Sequence, residues 1–171
     1  MLSASACSVL KKSKTRDSNT SGLPASPTSA TKPKVFIKPL SINRNEFVAT
    51  AKKQLGVPYK YGSALPENGL DCSGFVSHVF GQFNIKAPRT TVAFTNEGKE
   101  VALNRARVGD IILFSGNDHA SGVVGHMGII TNTDNPIMFI HSASGKSVGV
   151  ILNTLTGYYQ KHFIKVISIF E

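Results

Sequence analysis

Cys72 is the residue of this chain whose type and position best suit nucleophilic chemistry. It follows Asp71 in the stretch GLDCSGFVSHVF, directly ahead of an apolar run with helical spacing. If Asp71 is the N-cap, Cys72 takes the first helical position, where unpaired N–H groups and the helix dipole favour a thiolate and can hold an oxyanion. Gly74 would leave room for a substrate backbone. Free cysteines are often buried core residues, but here the apolar face is already filled by later residues of the run, which favours a nucleophile.

A catalytic thiol needs a base, and two histidines lie at the ends of one predicted hairpin. His126 opens the strand HMGIIT and His141 closes the strand IMFIHS, with a turn at residues 132–135 between them. If Thr131 pairs with Pro136, the two imidazoles stand opposite each other. More generally, if the numbers of residues paired across the hairpin add up to an odd number, both imidazoles point to the same face of the sheet. We therefore predict His126 as the base, and later the acid, and His141 as the residue that orients it.

The remaining histidines are predicted to be packed or solvated side chains. They are His78, His119 and His162. A zinc site formed by His119 and the two hairpin histidines is the competing use of imidazoles, but its spacing matches no common motif and it leaves Cys72 unused. A serine triad is a weaker alternative than the zinc site.

The elements that must position these residues change type along the chain. Helices are predicted at residues 45–55, from Asp71 onward, and after Thr90. Apolar, β-branched runs separated by turn residues predict strands at 111–114, 126–131, 137–141, 149–152 and 162–170. Helices followed by strands indicate an α+β fold with N-terminal helices packed on a C-terminal antiparallel sheet.

Most of the net charge lies outside the predicted domain. The chain carries +9 at pH 7, of which residues 1–38 contribute +6 through seven basic residues and Asp17. Residues 1–35 are rich in Ser, Thr, Pro and Lys and predict a disordered tail or linker, while residues 36–171 predict one domain. The domain is mildly basic and lacks a nucleic-acid-binding motif, so we expect no nucleic-acid partner.

Cys7 could anchor the chain to a membrane. The small residues after Leu2 in MLSASAC resemble the end of a bacterial lipoprotein signal, in which the cysteine is lipidated. The charged start and apolar core of a signal peptide are absent from the sequence. Lipidation of Cys7 is therefore one hypothesis, and a cysteine without a role is the other.

Several motifs together resemble one known family. The stretch GVPYKYGSALPENGLDCSGFV is similar to the core motif of the NlpC-type cell-wall peptidases, which are papain-like cysteine endopeptidases. The motifs APRTT, RVGDIILF, GHMGIIT and FIHSASGKSVGV follow in the family's order, so the resemblance spans about residues 47–170. Gly62-Ser63 stands where members often have Gly-Gly, and Phe94 where they have Gln.

The resemblance implies a papain-like fold and assigns roles to individual residues. Cys72 matches the family's nucleophile, His126 its base and His141 the third polar residue. Tyr59 matches a tyrosine near the nucleophile that would assist the oxyanion, and Ser73 would line the substrate groove.

The implied function is hydrolysis of an amide bond in peptidoglycan stem peptides or cross-links, without a metal or other cofactor. The expected partner is peptidoglycan peptide, the expected state a monomer, and the expected location the cell envelope or the exterior, including the periplasm or an outer-membrane lipoprotein. Three alternatives stay open: a cysteine amidase or acyltransferase of the same fold, a non-catalytic wall-binding module, and a secreted effector with the same chemistry.

Overall fold

A six-stranded antiparallel sheet with helices packed on it forms the part of the chain that the structure describes. A computed structural model describes residues 40–145 and 149–171. The helices are α1 (Arg44–Lys52), α2 (Cys72–Gly81), α3 (Thr91–Phe94) and α4 (Gly157–His162), with 3₁₀ turns at Leu103–Arg105 and His119–Ser121. The strands are β1 (Ala64–Leu65), β2 (Gly69–Leu70), β3 (Lys99–Val101), β4 (Ile111–Ser115), β5 (Val124–Asn132), β6 (Met138–Ala143), β7 (Gly149–Thr154) and β8 (Phe163–Ser168).

The large sheet runs in the order β3-β8-β4-β5-β6-β7, and every neighbouring pair is antiparallel. Strands β1 and β2 form a separate short hairpin just before α2. The predicted α+β class, with helices first and an antiparallel sheet after them, is confirmed.

The alternation of side chains along β4 divides the core between the two faces of the sheet. Ile111 and Leu113 belong to a large cluster shared with α1 and α2, whereas Ile112 and Phe114 belong to a smaller cluster on the other face. All four side chains are almost completely buried. This strand is apolar on both faces because both faces of the sheet are covered.

An ion pair fixes α1 to the sheet. Arg44 donates to the buried carboxylate of Asp110 over 2.7 Å and to the Ser168 hydroxyl over 3.0 Å. Its guanidinium also lies 4.3 Å from the centre of the Phe170 ring. Since the Asp110 carboxylate is buried, removing Arg44 would leave a dehydrated charge without its cation.

Two predicted boundaries are wrong for identifiable reasons. Helix α1 ends at Lys52 rather than near residue 55, and Leu55 is exposed instead of continuing the buried face. Residue 162 was expected to begin the last strand but ends α4, and β8 begins at Phe163. A helix of six residues is too short to establish a 3.6-residue apolar period, so its tyrosines resembled turn residues.

The hairpin formed by β5 and β6 has a different register from the one assumed, but the same parity. Ile129 pairs with Ile140 and Ile130 with Phe139, so paired numbers sum to 269 rather than 267. A register irregularity between Ile130 and Asn132 lengthens the connection. Because the sum is still odd, His126 and His141 remain on one face, offset along the strands instead of directly opposite.

Some predictions concern residues outside those described. They are the tail at residues 1–35, the start of the domain at residue 36, and lipidation of Cys7. Among the described residues, none of the helices combines the length and apolar character needed to cross a membrane.

Candidate active site

Cys72 is the first residue of α2, as its position behind Asp71 predicted. Asp71 has an extended backbone, and its Oδ1 accepts a hydrogen bond from the Gly74 N–H over 2.6 Å, as an N-cap does. The Ser73 hydroxyl donates to the same oxygen over 3.1 Å. The thiol therefore lies at the helix N-terminus, next to a carboxylate with ordered hydrogen-bond partners.

Arg89 completes this carboxylate site, although the sequence analysis assigned it no role. It donates to both oxygens of Asp71, over 3.0 and 2.7 Å, and to the Ser73 hydroxyl over 3.1 Å. Burial alone would raise the pKa of Asp71, but the hydrogen bonds from Arg89 and the Gly74 N–H outweigh it and lower that pKa. A buried acidic cap beside a cysteine requires a cation, and the motif APRTT was the signal that could have identified it.

Gly74 does not leave room for a substrate. It is buried, and a Cβ at this position would overlap the carbonyl oxygen of Ser63, just before β1. The missing side chain instead lets α2 pack directly against the chain that leads from Tyr59 into the β1–β2 hairpin. The expectation for Gly74 was wrong because the fold itself fills the space.

The surroundings of Cys72 disfavour its charged form. Burial, followed by the negative charge of Asp71, raises the pKa of the Cys72 thiol to about 11. The backbone N–H groups of Ser73 and of Cys72 itself lower it, but by less. The helix N-terminus thus acts on the pKa in the predicted direction, but dehydration is the larger effect and raises it.

The two hairpin histidines contact each other directly. His126 Nε2 lies 2.7 Å from His141 Nδ1, and the two rings meet edge to face. This bond leaves Nδ1 of His126 as the ring nitrogen available to a thiol. The predicted pairing of the imidazoles is thus realised by a hydrogen bond between side chains offset on neighbouring strands.

The pKa values of both imidazoles are low. Burial lowers the pKa of His126 to about 4, and burial followed by the proximity of His126 lowers that of His141 to about 3. Both rings are therefore neutral near pH 7, and each carries a single N–H whose position depends on its hydrogen-bond partners.

His141 has further partners on the side away from His126. Its ring is fully buried, and its Nε2 lies 2.9 Å from Asn153 Nδ2 and 3.3 Å from Tyr159 Oη. Neither residue is predicted from the sequence, because the strand predicted at 149–152 stops before Asn153 and helix α4 is not predicted.

The thiol and the imidazoles come from different layers of the core. Cys72 packs against the large cluster, whereas the imidazoles contact Phe114, Phe139 and Tyr159 around the smaller one. A buried hydrogen bond of 2.6 Å from the Ser142 hydroxyl to the Leu70 carbonyl joins the strand of His141 to the segment before Cys72.

Two cavities meet at the thiol and form one groove. The first, of about 140 Å³, extends past His126 towards α4, and the second, of about 440 Å³, extends past Asp71 and Arg89. Tyr59, Cys72 and Gly125 line both. Cys72 therefore lies where the two cavities join, with a cavity on either side of it.

Tyr59 lines both cavities and Ser73 lines the second, and their roles stay predictions. Burial, and then the nearby Cys72 thiol, raise the pKa of the Tyr59 hydroxyl. Ser73 lines the second cavity, but its hydroxyl is held by Asp71 and Arg89. Its side chain thus helps to fix the wall of the groove.

The zinc alternative finds no support in the positions of the histidines. The His119 ring contacts His162, at 5.6 Å between centroids, rather than either hairpin imidazole. Within residues 40–145 and 149–171, no three His, Cys, Asp or Glu side chains gather as a metal site would require.

Comparisons with known proteins find relatives in one family. A model of the NlpC/P60 family matches residues 56–168. A protein named murein DD-endopeptidase MepS/murein LD-carboxypeptidase, from Escherichia coli, is 35% identical over 107 residues, which cover 62% of this chain and 52% of that protein. The gamma-DL-glutamyl hydrolase of Bacillus subtilis is 35% identical over 104 residues, which cover 60% of this chain and 24% of that protein.

A solved structure resembles the fold as a whole. The crystal structure of an NlpC/P60 family protein from Bacillus cereus superposes with a TM-score of 0.68 at 25% identity, covering 76% of this chain and 41% of that one. The chain thus spans only about a quarter to a half of the length of the relatives named above.

Proposed function

The chain belongs to the NlpC/P60 family, and we propose that it is a cysteine endopeptidase that hydrolyses an amide bond in peptidoglycan stem peptides or cross-links. The observation that carries the proposal is the groove that passes on both sides of Cys72, next to a base that is itself oriented by a second imidazole. Two relatives whose names refer to murein or glutamyl bonds support this class of substrate.

In the proposed reaction, His126 Nδ1 takes the thiol proton as the Cys72 sulfur attacks the scissile carbonyl carbon. Backbone N–H groups at the start of α2, assisted by the Tyr59 hydroxyl, stabilise the oxyanion. The intermediate collapses when His126 returns the proton to the leaving amine, and a thioester remains on Cys72. Water then attacks the thioester, gives a proton to His126 and releases the carboxylic acid and the free thiol.

The resting site should hold both groups uncharged. The raised pKa of Cys72 and the lowered pKa of His126 both oppose transfer of the thiol proton to the imidazole before a substrate binds. We therefore expect the thiolate to form together with attack on the bound substrate.

The proposal places the protein at the cell wall. Its partner would be peptidoglycan peptide, and it would act in the envelope or outside the cell, as a monomer. A tether through Cys7 remains a prediction about residues beyond those described.

Digestion of purified peptidoglycan by the wild type and by Cys72→Ala tests the proposal. We expect the wild type alone to release peptide fragments, whose masses identify the bond that is cut. Absence of fragments with both proteins, together with binding to the wall, would replace the proposal with the non-catalytic module. Fragments from both proteins would exclude Cys72 as the nucleophile.

A further inference from the structure

The far side of His141 carries two polar partners that the proposed reaction does not use. Its Nε2 is the nitrogen turned away from His126, and Asn153 on β7 and Tyr159 on α4 both reach it. Because the His141 ring is fully buried, these protein groups rather than bulk solvent determine what Nε2 does.

The proton on His141 decides whether His126 can act as a base. If His141 carries its proton on Nδ1, it donates to Nε2 of His126, and neutral His126 must then hold its own proton on Nδ1. Nδ1 is the nitrogen that the proposed reaction uses to take the thiol proton, and it could not accept a second proton without releasing the first. If His141 is protonated on Nε2, its Nδ1 accepts from His126 Nε2–H, and Nδ1 of His126 has a free lone pair for the thiol.

Asn153 and Tyr159 offer different partners to Nε2. The amide nitrogen of Asn153 can only donate, so the placement with Nδ2 at 2.9 Å favours an unprotonated Nε2 and the blocked form of His126. A half-turn of the amide would present Oδ1, which can only accept and favours Nε2–H. The Tyr159 hydroxyl, at 3.3 Å, can act either way.

We propose that Asn153, with its amide half-turned so that Oδ1 accepts from His141 Nε2–H, and Tyr159 are positioning residues that select this tautomer of His141 and, through it, give His126 a free nitrogen for Cys72. The inference deepens the proposed function and rests on it. Each acts through the buried imidazole of His141, as the partners behind a catalytic histidine do.

Few titratable side chains contact the His141 ring in the part of the chain that the structure describes. Among the described residues, the titratable side chains that contact the His141 ring are His126 from β5 and Tyr159 from α4. Burial, followed by the nearby Tyr158, raises the pKa of Tyr159, so its hydroxyl stays protonated near neutral pH. The proton on His141 is therefore governed by hydrogen bonds rather than by a nearby charge.

Three substitutions separate this role from packing. Asn153→Asp offers only acceptors to His141. Asn153→Leu keeps the branched shape, although it is larger, and offers neither a donor nor an acceptor. Tyr159→Phe removes only the hydroxyl while keeping the ring among its aromatic neighbours. Thr154→Val is the matched control, because it removes a hydroxyl from the same strand that bonds Thr156 instead of His141.

We expect Asn153→Leu to lower kcat on peptidoglycan peptides at least about tenfold with little change in KM, and Asn153→Asp to stay within about threefold of the wild type. Tyr159→Phe should fall between them, and Thr154→Val should match the wild type. If Asn153 served only in packing, Asn153→Asp would place a charge beside buried rings. It should then lower kcat at least as much as Asn153→Leu.

A second readout needs no substrate. Long-range ¹H–¹⁵N spectra of histidine-labelled protein report which ring nitrogen carries the proton. We expect Asn153→Asp to place it on Nε2 of His141, and Asn153→Leu to change the tautomer populations relative to the wild type. The inference would be overturned if all variants had the same His141 tautomer, or if Asn153→Asp and Asn153→Leu lost kcat to the same extent.

The two readouts also distinguish this inference from the proposed function. If the wild type releases no peptidoglycan fragments but the tautomers respond as expected, the wall substrate is wrong and the control of His141 stands. If fragments appear and the tautomers do not respond, the wall substrate stands and the control of His141 by Asn153 and Tyr159 is wrong.

Discussion

Asp71 links the stability of α2 to the reactivity of its first residue, and replacing it by Ala or by Asn separates these effects. The carboxylate caps the helix through the Gly74 N–H, accepts from Ser73 and pairs with Arg89. Asn keeps an oxygen for the first two contacts but removes the charge, whereas Ala removes everything.

The expected cost follows from these contacts. Loss of an N-cap costs about 1 kcal/mol. The ion pair adds at most about 1 kcal/mol, because the Arg89 side chain is 42% exposed and water screens the attraction. A buried Ser73 hydroxyl without its acceptor adds about 1 kcal/mol. We therefore expect Asp71→Ala to lower the free energy of unfolding by about 3 kcal/mol at pH 7 and Asp71→Asn by about 1 kcal/mol.

The pH dependence of the Asn variant gives a second test. The pKa of Asp71 is lowered in the folded state, so its charge stabilises the fold above the unfolded pKa of about 3.9. That contribution is lost as the pH falls through the folded pKa. Urea unfolding between pH 7 and pH 2.5 should show the wild type and Asp71→Asn converging below about pH 4.

Thiol reactivity should move in the opposite direction from stability. The charge of Asp71 raises the pKa of Cys72, so Asp71→Asn should lower that pKa and speed alkylation by iodoacetamide near pH 8. Equal stability losses for Asn and Ala, or unchanged alkylation in Asn, would refute the assignment of these roles to Asp71.

Two further predictions concern Cys72 and Gly74. Without substrate, alkylation of wild-type Cys72 should increase with pH well above pH 8, following its raised pKa; a plateau already reached at pH 6 would show a resting ion pair with His126. Gly74→Ala should lower the unfolding free energy by about 3 kcal/mol or more, because its Cβ would overlap the Ser63 carbonyl. In the same helix a Cβ at Gly81 meets open space, so Gly81→Ala should raise the unfolding free energy by about 0.5–1 kcal/mol. Equal effects of Gly74→Ala and Gly81→Ala in urea unfolding would contradict the packing argument.

Local signals in the sequence predicted the start of α2 and the shared face of the hairpin histidines. Asp71 forms its cap within three residues, so neighbouring sequence is sufficient to identify it. His126 and His141 share a face whenever the numbers of paired residues have an odd sum. The assumed sum differed by two from the observed one, so it was still odd and the shared face was predicted correctly. Properties set by short-range chemistry or by parity are robust in this way.

What the sequence did not reveal depends on distant parts of the chain. Arg89 reaches Asp71 from 18 positions away, and Tyr159 reaches His141 from 18 positions away. The pKa of Cys72 depends on how completely the fold dehydrates it, which the helix N-terminus alone does not determine. Such effects exist only in the assembled core, so spacing along the chain does not encode them directly.

The hydrogen bond from Ser142 to Leu70 has a consequence for when activity arises. It joins positions 72 apart in sequence, and it connects the layer that holds Cys72 to the layer that holds His126. Closing a loop of this length costs conformational entropy before the contact can form. If Cys72 is the proposed nucleophile, a nascent or partly folded chain would carry an unaligned thiol, and the proposed hydrolysis would begin only once the two layers are joined.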